Sequence, residues 1–205
     1  MEMKSLGITG NIWTGKSSVL DILKNKGIQT FDLDNVAKNL YKSNISINKK
    51  VLDVFPSVSS AENQINTKKL GDLVFNNKDK LNILQKIIWP EVEKFIKDKI
   101  DFSQDLIVFE GAVIIEAGWH KLFDNIWLIS TEVELSKKRV MKQRNMSEED
   151  FEVIQNNQLK IAQLIDTLKQ DKKKYTIIKN NSNLDKLKIL VDKELSYWIS
   201  QLSWS

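Results

Sequence analysis

The chain has 205 residues, with 31 Lys and Arg, 27 Asp and Glu, one His and no Cys, which gives a net charge of +4. This length is enough for one α/β domain with a substantial core. The lack of cysteine excludes disulfides and thiolate metal sites, and the single His120 argues against a histidine-based metal site or a Ser-His-Asp triad. The mild charge comes almost entirely from lysine. It is typical of a solvated surface and argues against a nucleic-acid-binding module.

Apolar runs bounded by polar residues predict five short strands, at 6–9, 28–31, 106–109, 125–130 and 175–178. Helical spacing between them predicts helices at 14–26, 35–42, 68–75, 78–88, 91–100, 132–144, from 147 and 183–199. Pro90 is expected to begin a new helix rather than lie inside one. Strands that alternate with helices favour a parallel sheet covered on both faces.

The segment after the first strand reads Gly10-Asn11-Ile12-Trp13-Thr14-Gly15-Lys16-Ser17, which fits the pattern G-x-x-x-x-G-K-[ST]. An apolar strand precedes it and an amphipathic helix follows, which is the context that a phosphate loop requires. We predict that the nucleotide phosphates contact Gly10, Asn11, Ile12, Trp13, Thr14, Gly15, Lys16, Ser17 and Ser18. The Lys16 ammonium is expected at the β- and γ-phosphates and the Ser17 hydroxyl at Mg²⁺. The alternative is a glycine-rich turn with an incidental lysine.

Trp13 is unusual in such a loop. Because backbone amides make the phosphate contacts, its side chain is compatible if its φ is negative or if positive φ strain is tolerated. The indole then either covers the nucleotide or packs on protein.

Acidic residues follow the second and third predicted strands. Asp32 and Asp34 come at the end of the second strand, which is expected beside the loop in a parallel sheet, and strand alternation places both on one face. Asp34 is predicted to orient or deprotonate an acceptor hydroxyl; the alternative is a helix N-cap. Glu110 ends the third strand and is expected near Mg²⁺ or the substrate.

The chain has only two arginines, Arg139 and Arg144, on the predicted helix 132–144 and at its end. Arg144 precedes a turn and a new helix, which is typical of a lid at about 143–172. An arginine there would neutralise charge on the transferring phosphoryl group. A solvated arginine at a helix end is the alternative for both.

The stretches "LGITG", "FDLDNVA", "IIWPEVEK", "VFEGAVIIEAGWHKLFDNIW" and "KRVMKQRNMSEEDF" resemble the dephospho-CoA kinase family, in its order and spacing. More closely, they are similar to the kinase domain of the eukaryotic bifunctional CoA synthase. The resemblance runs from Leu6 to about Gln158 and is weaker beyond.

The resemblance implies a P-loop kinase fold related to nucleoside monophosphate kinases: a single domain, 1–205, with a helical substrate-binding excursion at 35–105 and a lid. It implies transfer of the γ-phosphoryl group of ATP to the ribose 3′-hydroxyl of dephospho-CoA, with Mg²⁺. The catalytic residues it implies are Lys16, Asp34 and Arg144. The substrate-binding residues are Asp32, Asp34, Glu110, Glu116 and Gly118.

No nucleic acid, membrane or obligate protein partner is expected. The first ten residues lack the pattern of a signal or transit peptide, so a cytoplasmic location is expected.

The chain departs from the family pattern at several positions. The family usually has glycine where Trp13 stands and often where Asn11 stands, and aspartate where Glu110 stands. It often has further arginines after Gln158. Two other functions stay open. A P-loop kinase that acts on another nucleotide or nucleoside is one, because acceptor specificity depends on the helical excursion. A nucleotide-binding protein with little catalysis is the other, and Trp13 is the feature that suggests it.

Overall fold

The computed structural model describes residues 5–60, 64–75, 77–144, 147–157 and 159–202. Contacts divide the chain into two compact units. One comprises the chain up to Phe31 and from Ser103 onward, and the other comprises Asp32–Phe102.

A five-stranded sheet forms the centre of the first unit, in the order β2-β3-β1-β4-β5. Strand β1 pairs in parallel with β3 and β4, and β4 pairs in parallel with β5. The strands are β1 Ser5–Thr9, β2 Gln29–Asp32, β3 Ile107–Glu110, β4 Asn125–Ser130 and β5 Tyr175–Lys179. The predicted α/β class with a parallel sheet is confirmed.

Nine α-helices lie in the part of the chain that the structure describes. They are α1 Lys16–Lys24, α2 Leu33–Ser43, α3 Ile45–Val54, α4 Thr67–Phe75, α5 Lys78–Asp101, α6 Val133–Arg144, α7 Glu148–Asn157, α8 Ile161–Gln170 and α9 Leu184–Leu202. Helices α2 to α5 belong to the second unit. The described residues also form two short 3₁₀ helices, at Pro56–Val58 and Trp119–Leu122.

The sheet buries side chains on both of its faces. On one face Leu6 and Ile8 of β1 join a cluster with the apolar sides of α1 and α9. On the other face Gly7 is covered by Phe123, which also contacts Phe109 with ring centroids 5.3 Å apart. A Cβ at Gly7 would come within 2.5 Å of the Phe123 ring, so this strand position requires glycine. The packed sheet holds the loop after β1 on a rigid base.

Helix α5 corrects the prediction that Pro90 begins a new helix, because α5 runs through that residue without a break. Proline in a helix interior removes one backbone hydrogen bond and costs about 3 kcal/mol. A stripe of buried apolar side chains along α5 compensates for this cost. A buried residue recurs every four positions on both sides of the proline, and Pro90 itself lies on the exposed side of the helix. The stripe consists of Leu84, Ile88, Val92 and Ile96.

Candidate active site

Residues 10–17, which comprise the loop after β1 and the first two residues of α1, form the phosphate loop. Both motif glycines adopt a positive φ, +142° at Gly10 and +94° at Gly15. A Cβ at Gly10 would lie 2.2 Å from the carbonyl oxygen of Ile129 on β4. Glycine is therefore required where the loop leaves the sheet and where it enters α1.

Hydrogen bonds inside the phosphate loop converge on one backbone carbonyl. The Asn11 oxygen accepts from the Thr14 hydroxyl at 2.9 Å and from the Lys16 ammonium at 3.0 Å. Lys16 is the first residue of α1 and is only 9% exposed. A lysine ammonium and the first amides of a helix are thus brought together, which is the arrangement that binds phosphate.

Trp13 has a φ of +63° in this loop. Of the two conditions under which Trp13 is compatible with the loop, a negative φ is therefore wrong. The residue adopts the strained positive φ instead. A bulky residue in the left-handed region costs on the order of 1–3 kcal/mol unless its surroundings fix it there. The side chain is half-buried. Whether the indole covers a nucleotide stays a prediction.

Glu110 ends the strand that lies beside β1. It pairs in register with Ile8, and the next amide, of Gly111, donates to the Ile8 carbonyl at 3.0 Å. Its side chain is only 5% exposed. Strand β3, and not β2, is the neighbour of β1, so the expectation that the second strand ends beside the loop is wrong. The acid at the carboxyl end of the strand next to β1 is therefore Glu110, and not Asp32.

Asp32 and Asp34 do not continue a strand together, because α2 begins at Leu33. Asp32 is the N-cap: its carboxylate accepts from the Asn35 amide at 2.9 Å and from the Asn35 side chain at 2.7 Å. Asp34 lies in the first turn. The alternative that Asp34 is the cap is therefore wrong, and so is the alternation argument that placed both on one face. Their predicted roles toward substrate stay predictions.

Glu116 lies in the connection from β3 to the second 3₁₀ helix, and Gly118, with φ +75°, ends that connection. Loss of water around the carboxyl group raises the pKa of Glu116, although part of the residue stays exposed. A hydrogen bond from its own backbone and the positive charge of Lys16 act in the opposite direction. The Glu116 carboxyl group is thus within electrostatic reach of the Lys16 ammonium.

The two arginines differ in what the structure describes. Arg139 donates to the Ser182 carbonyl at 2.8 Å, and burial lowers the pKa of its guanidinium. Arg144 ends α6, and its side chain lies outside the described part of the chain. Residues 145, 146 and 158 of the predicted lid also lie outside it. Helices α6 and α7 are linked by an ion pair between Lys137 and Glu148.

A family model described as dephospho-CoA kinase matches residues 4–186. The chain belongs to the dephospho-CoA kinase family. A dephospho-CoA kinase of Fusobacterium nucleatum subsp. nucleatum is 32% identical over 189 residues, which cover 91% of this chain and 94% of the relative. One from Aquifex aeolicus is 32% identical over 169 residues, or 80% and 84% of the two chains.

The solved dephospho-CoA kinase of Campylobacter jejuni has a similar fold. Its TM-score is 0.62 at 26% sequence identity, over 94% of this chain and 95% of that one. The predicted fold class, family and enzyme class, an ATP-dependent kinase, are thereby confirmed. The closer likeness to the eukaryotic CoA synthase stays a prediction.

Sequence reasoning missed two residues that contact the phosphate loop although they are distant from it in sequence. The Thr131 hydroxyl and the Asn180 amide both donate to the Thr14 carbonyl, at 3.1 and 2.9 Å. Thr131 directly follows β4, and Asn180 directly follows β5. A polar residue just after the carboxyl end of a parallel strand was the signal available for both.

Cation ligands are sparse in this site. Among the described residues, no three His, Asp or Glu side chains come together as a metal cluster. The Ser17 hydroxyl, exposed on the second residue of α1, is the oxygen that the sequence assigned to Mg²⁺.

The described helices include none that is long and apolar enough to cross a membrane.

Proposed function

We propose that this chain transfers the γ-phosphoryl group of ATP to the ribose 3′-hydroxyl of dephospho-CoA. The bond between the γ-phosphorus and its bridging oxygen breaks, a bond to the 3′-oxygen forms, and ADP and coenzyme A leave. The phosphate loop carries the proposal, because it holds the Lys16 ammonium beside the start of α1 in a chain of this family. Reactions of this kind depend on positioning and on charge stabilisation, which such a loop supplies.

The phosphate-binding roles follow from the loop. Loop amides and Lys16 bind the phosphates, and the Ser17 hydroxyl is proposed as the protein ligand of Mg²⁺. One exposed hydroxyl fits this ion, because Mg²⁺ keeps several waters and takes substrate phosphates as further ligands. When bound, the ion would neutralise charge on the phosphates.

The acceptor side is proposed on the family pattern. Asp34 would take the proton of the 3′-hydroxyl as that oxygen attacks, and Arg144 would stabilise charge on the transferring group. Asp32 is proposed to contact substrate in addition to capping α2. The buried side chain of Glu110, the exposed side chain of Glu116 and the Gly118 backbone are proposed near the substrate. The charge interaction between Glu116 and Lys16 supports this for Glu116.

We further propose that the enzyme works in the cytoplasm, without an obligate protein partner, nucleic acid or membrane. The lack of cysteine fits a reducing compartment, and the small substrate of the family requires no macromolecular partner.

ADP release from Mg·ATP with a panel of acceptors tests the function. The panel consists of dephospho-CoA, nucleoside monophosphates, adenosine and no acceptor. Turnover with dephospho-CoA alone is expected. Turnover with another acceptor would move the specificity to a different nucleotide or nucleoside. ATP binding without any turnover would favour a nucleotide-binding protein.

A matched pair of variants tests the role of Asp34. Asp34→Asn is expected to lower kcat on the order of a hundredfold or more, because it removes the proton acceptor. Asp32→Asn keeps an N-cap side chain and should lower kcat far less. Steady-state kinetics with dephospho-CoA measures both, alongside thermal unfolding. Equal losses in the two variants would contradict the assignment of the base to Asp34.

A further inference from the structure

The Thr14 carbonyl of the phosphate loop is the meeting point of two side chains from distant segments. The Asn180 side-chain amide donates to it at 2.9 Å, and the Thr131 hydroxyl lies 3.1 Å from it. The same hydroxyl lies 3.2 Å from the Asn180 carbonyl, so its single hydrogen is shared between two acceptors. Thr14 is 3% exposed and Asn180 is 6% exposed, so these bonds form away from water.

Asn180 is itself fixed in place by the sheet. Its backbone amide donates to the Ser130 carbonyl at the end of β4, at 2.7 Å. Its side chain lies directly behind Gly15, where an added Cβ would come within 2.2 Å of the Asn180 amide nitrogen. The amide group therefore reaches the loop from a rigid support, and only glycine at position 15 allows this approach.

Peptide geometry links these bonds to phosphate binding. The carbonyl of Thr14 and the amide N–H of Gly15 belong to one peptide group, and in a trans peptide the two point in opposite directions. The described residues contain no cis peptide bond. Donors that hold the Thr14 oxygen toward Asn180 therefore direct the Gly15 N–H away from Asn180.

This peptide group would rotate easily without such an anchor. A half-turn of the group would change the φ of Gly15 from +94° to about −86°, and glycine adopts both values at similar cost. The rotated state would present a carbonyl oxygen where the first state presents an N–H donor. A carbonyl oxygen repels phosphate, so the equilibrium between the two states determines the affinity for it.

We propose that Asn180, assisted by Thr131, is a positioning residue that holds the Thr14–Gly15 peptide with its N–H directed at the nucleotide phosphates. This inference rests on the phosphate-binding role of the loop in the proposed function, and not on the identity of the acceptor. It assigns Asn180 an effect on phosphate groups and none on the nucleoside.

Calorimetric titrations with ADP, inorganic tripolyphosphate and adenosine test the inference. Asn180→Asp replaces the donor by an acceptor and is expected to weaken ADP and tripolyphosphate binding roughly tenfold or more, with adenosine unchanged. Asn181→Asp is the matched control: it adds the same charge one residue away, and Asn181 contacts Glu132 instead of the loop. Equal effects of the two substitutions, or an equal loss of adenosine binding, would overturn the proposal.

A second pair of variants carries no charge change and keeps the test decisive if Asn180→Asp fails to fold. Thr131→Val removes the hydroxyl at nearly constant shape and is expected to weaken tripolyphosphate binding about threefold. Thr131→Ser keeps the hydroxyl and should bind tripolyphosphate as tightly as the parent chain. Equal affinities of the valine and serine variants would overturn the proposal that hydrogen bonds to the Thr14 carbonyl orient this peptide for phosphate. Because no acceptor is present, these results stand apart from the acceptor panel.

Discussion

The phosphate loop and helix α5 each contain a residue that local backbone rules disfavour, Trp13 at φ +63° and Pro90 in a helix interior. They are stabilised by different means. In the loop, directed hydrogen bonds converge on the carbonyls of Asn11 and Thr14. In α5, a stripe of buried apolar side chains runs past the proline. A lost polar contact should therefore alter binding in the loop, whereas lost apolar volume should alter stability in the helix.

The largest effect is expected from Lys16→Ala. It should lower kcat on the order of a thousandfold, because it removes the positive charge that stabilises the transferring phosphoryl group. The melting temperature should change little. Steady-state kinetics and thermal unfolding measure the two effects. Lys24→Ala, at the exposed end of the same helix, is the control and should keep full activity. Unchanged turnover in Lys16→Ala would contradict the role of the loop.

The stripe of α5 should respond in the opposite way. Ile88→Ala removes a side chain that is 4% exposed and should lower the free energy of unfolding by about 2–5 kcal/mol. Ile83 lies in the same helix and is 42% exposed, so Ile83→Ala should cost less than about 1 kcal/mol. Urea unfolding measures both. A similar cost at the two positions would show that α5 does not depend on this stripe.

Pro90→Ala measures the free-energy cost of proline inside α5, for which the stripe compensates. Alanine restores the missing amide, so the free energy of unfolding should rise by about 1–3 kcal/mol. Lys86→Ala, on an exposed position one turn earlier, is the control and should stay within about 0.5 kcal/mol of the parent chain. A lower stability for Pro90→Ala would mean that the surroundings of α5 require the proline.

The smallest effect is expected at Trp13. Trp13→Gly and Trp13→Ala both remove the indole, but only glycine relieves the positive φ. The glycine variant should be about 1 kcal/mol more stable than the alanine variant. Both should retain turnover, measured as ADP release. Complete loss of activity in both would instead place the indole in the site.

The sequence by itself determined the parts of this protein that depend on local pattern. Spacing and residue type predict four features: the strand before the loop, the two motif glycines, Lys16 at the start of α1, and the alternation of strands and helices. Family membership follows from the same stretches, because they lie in a fixed order along most of the chain. The strand β4 was predicted with its observed bounds, Asn125–Ser130.

Only the tertiary structure decided which strand ends lie together and which local rule gives way. The position of β3 between β1 and β2 is a matter of sheet order, which spacing along the chain does not contain. Helix α2 begins at Leu33, two residues earlier than predicted, because Asp32 caps it. Pro90 stays helical because buried contacts outweigh a lost hydrogen bond. The bond from Asn180 to the Thr14 carbonyl joins residues 166 positions apart, and only the folded sheet brings them within reach of each other.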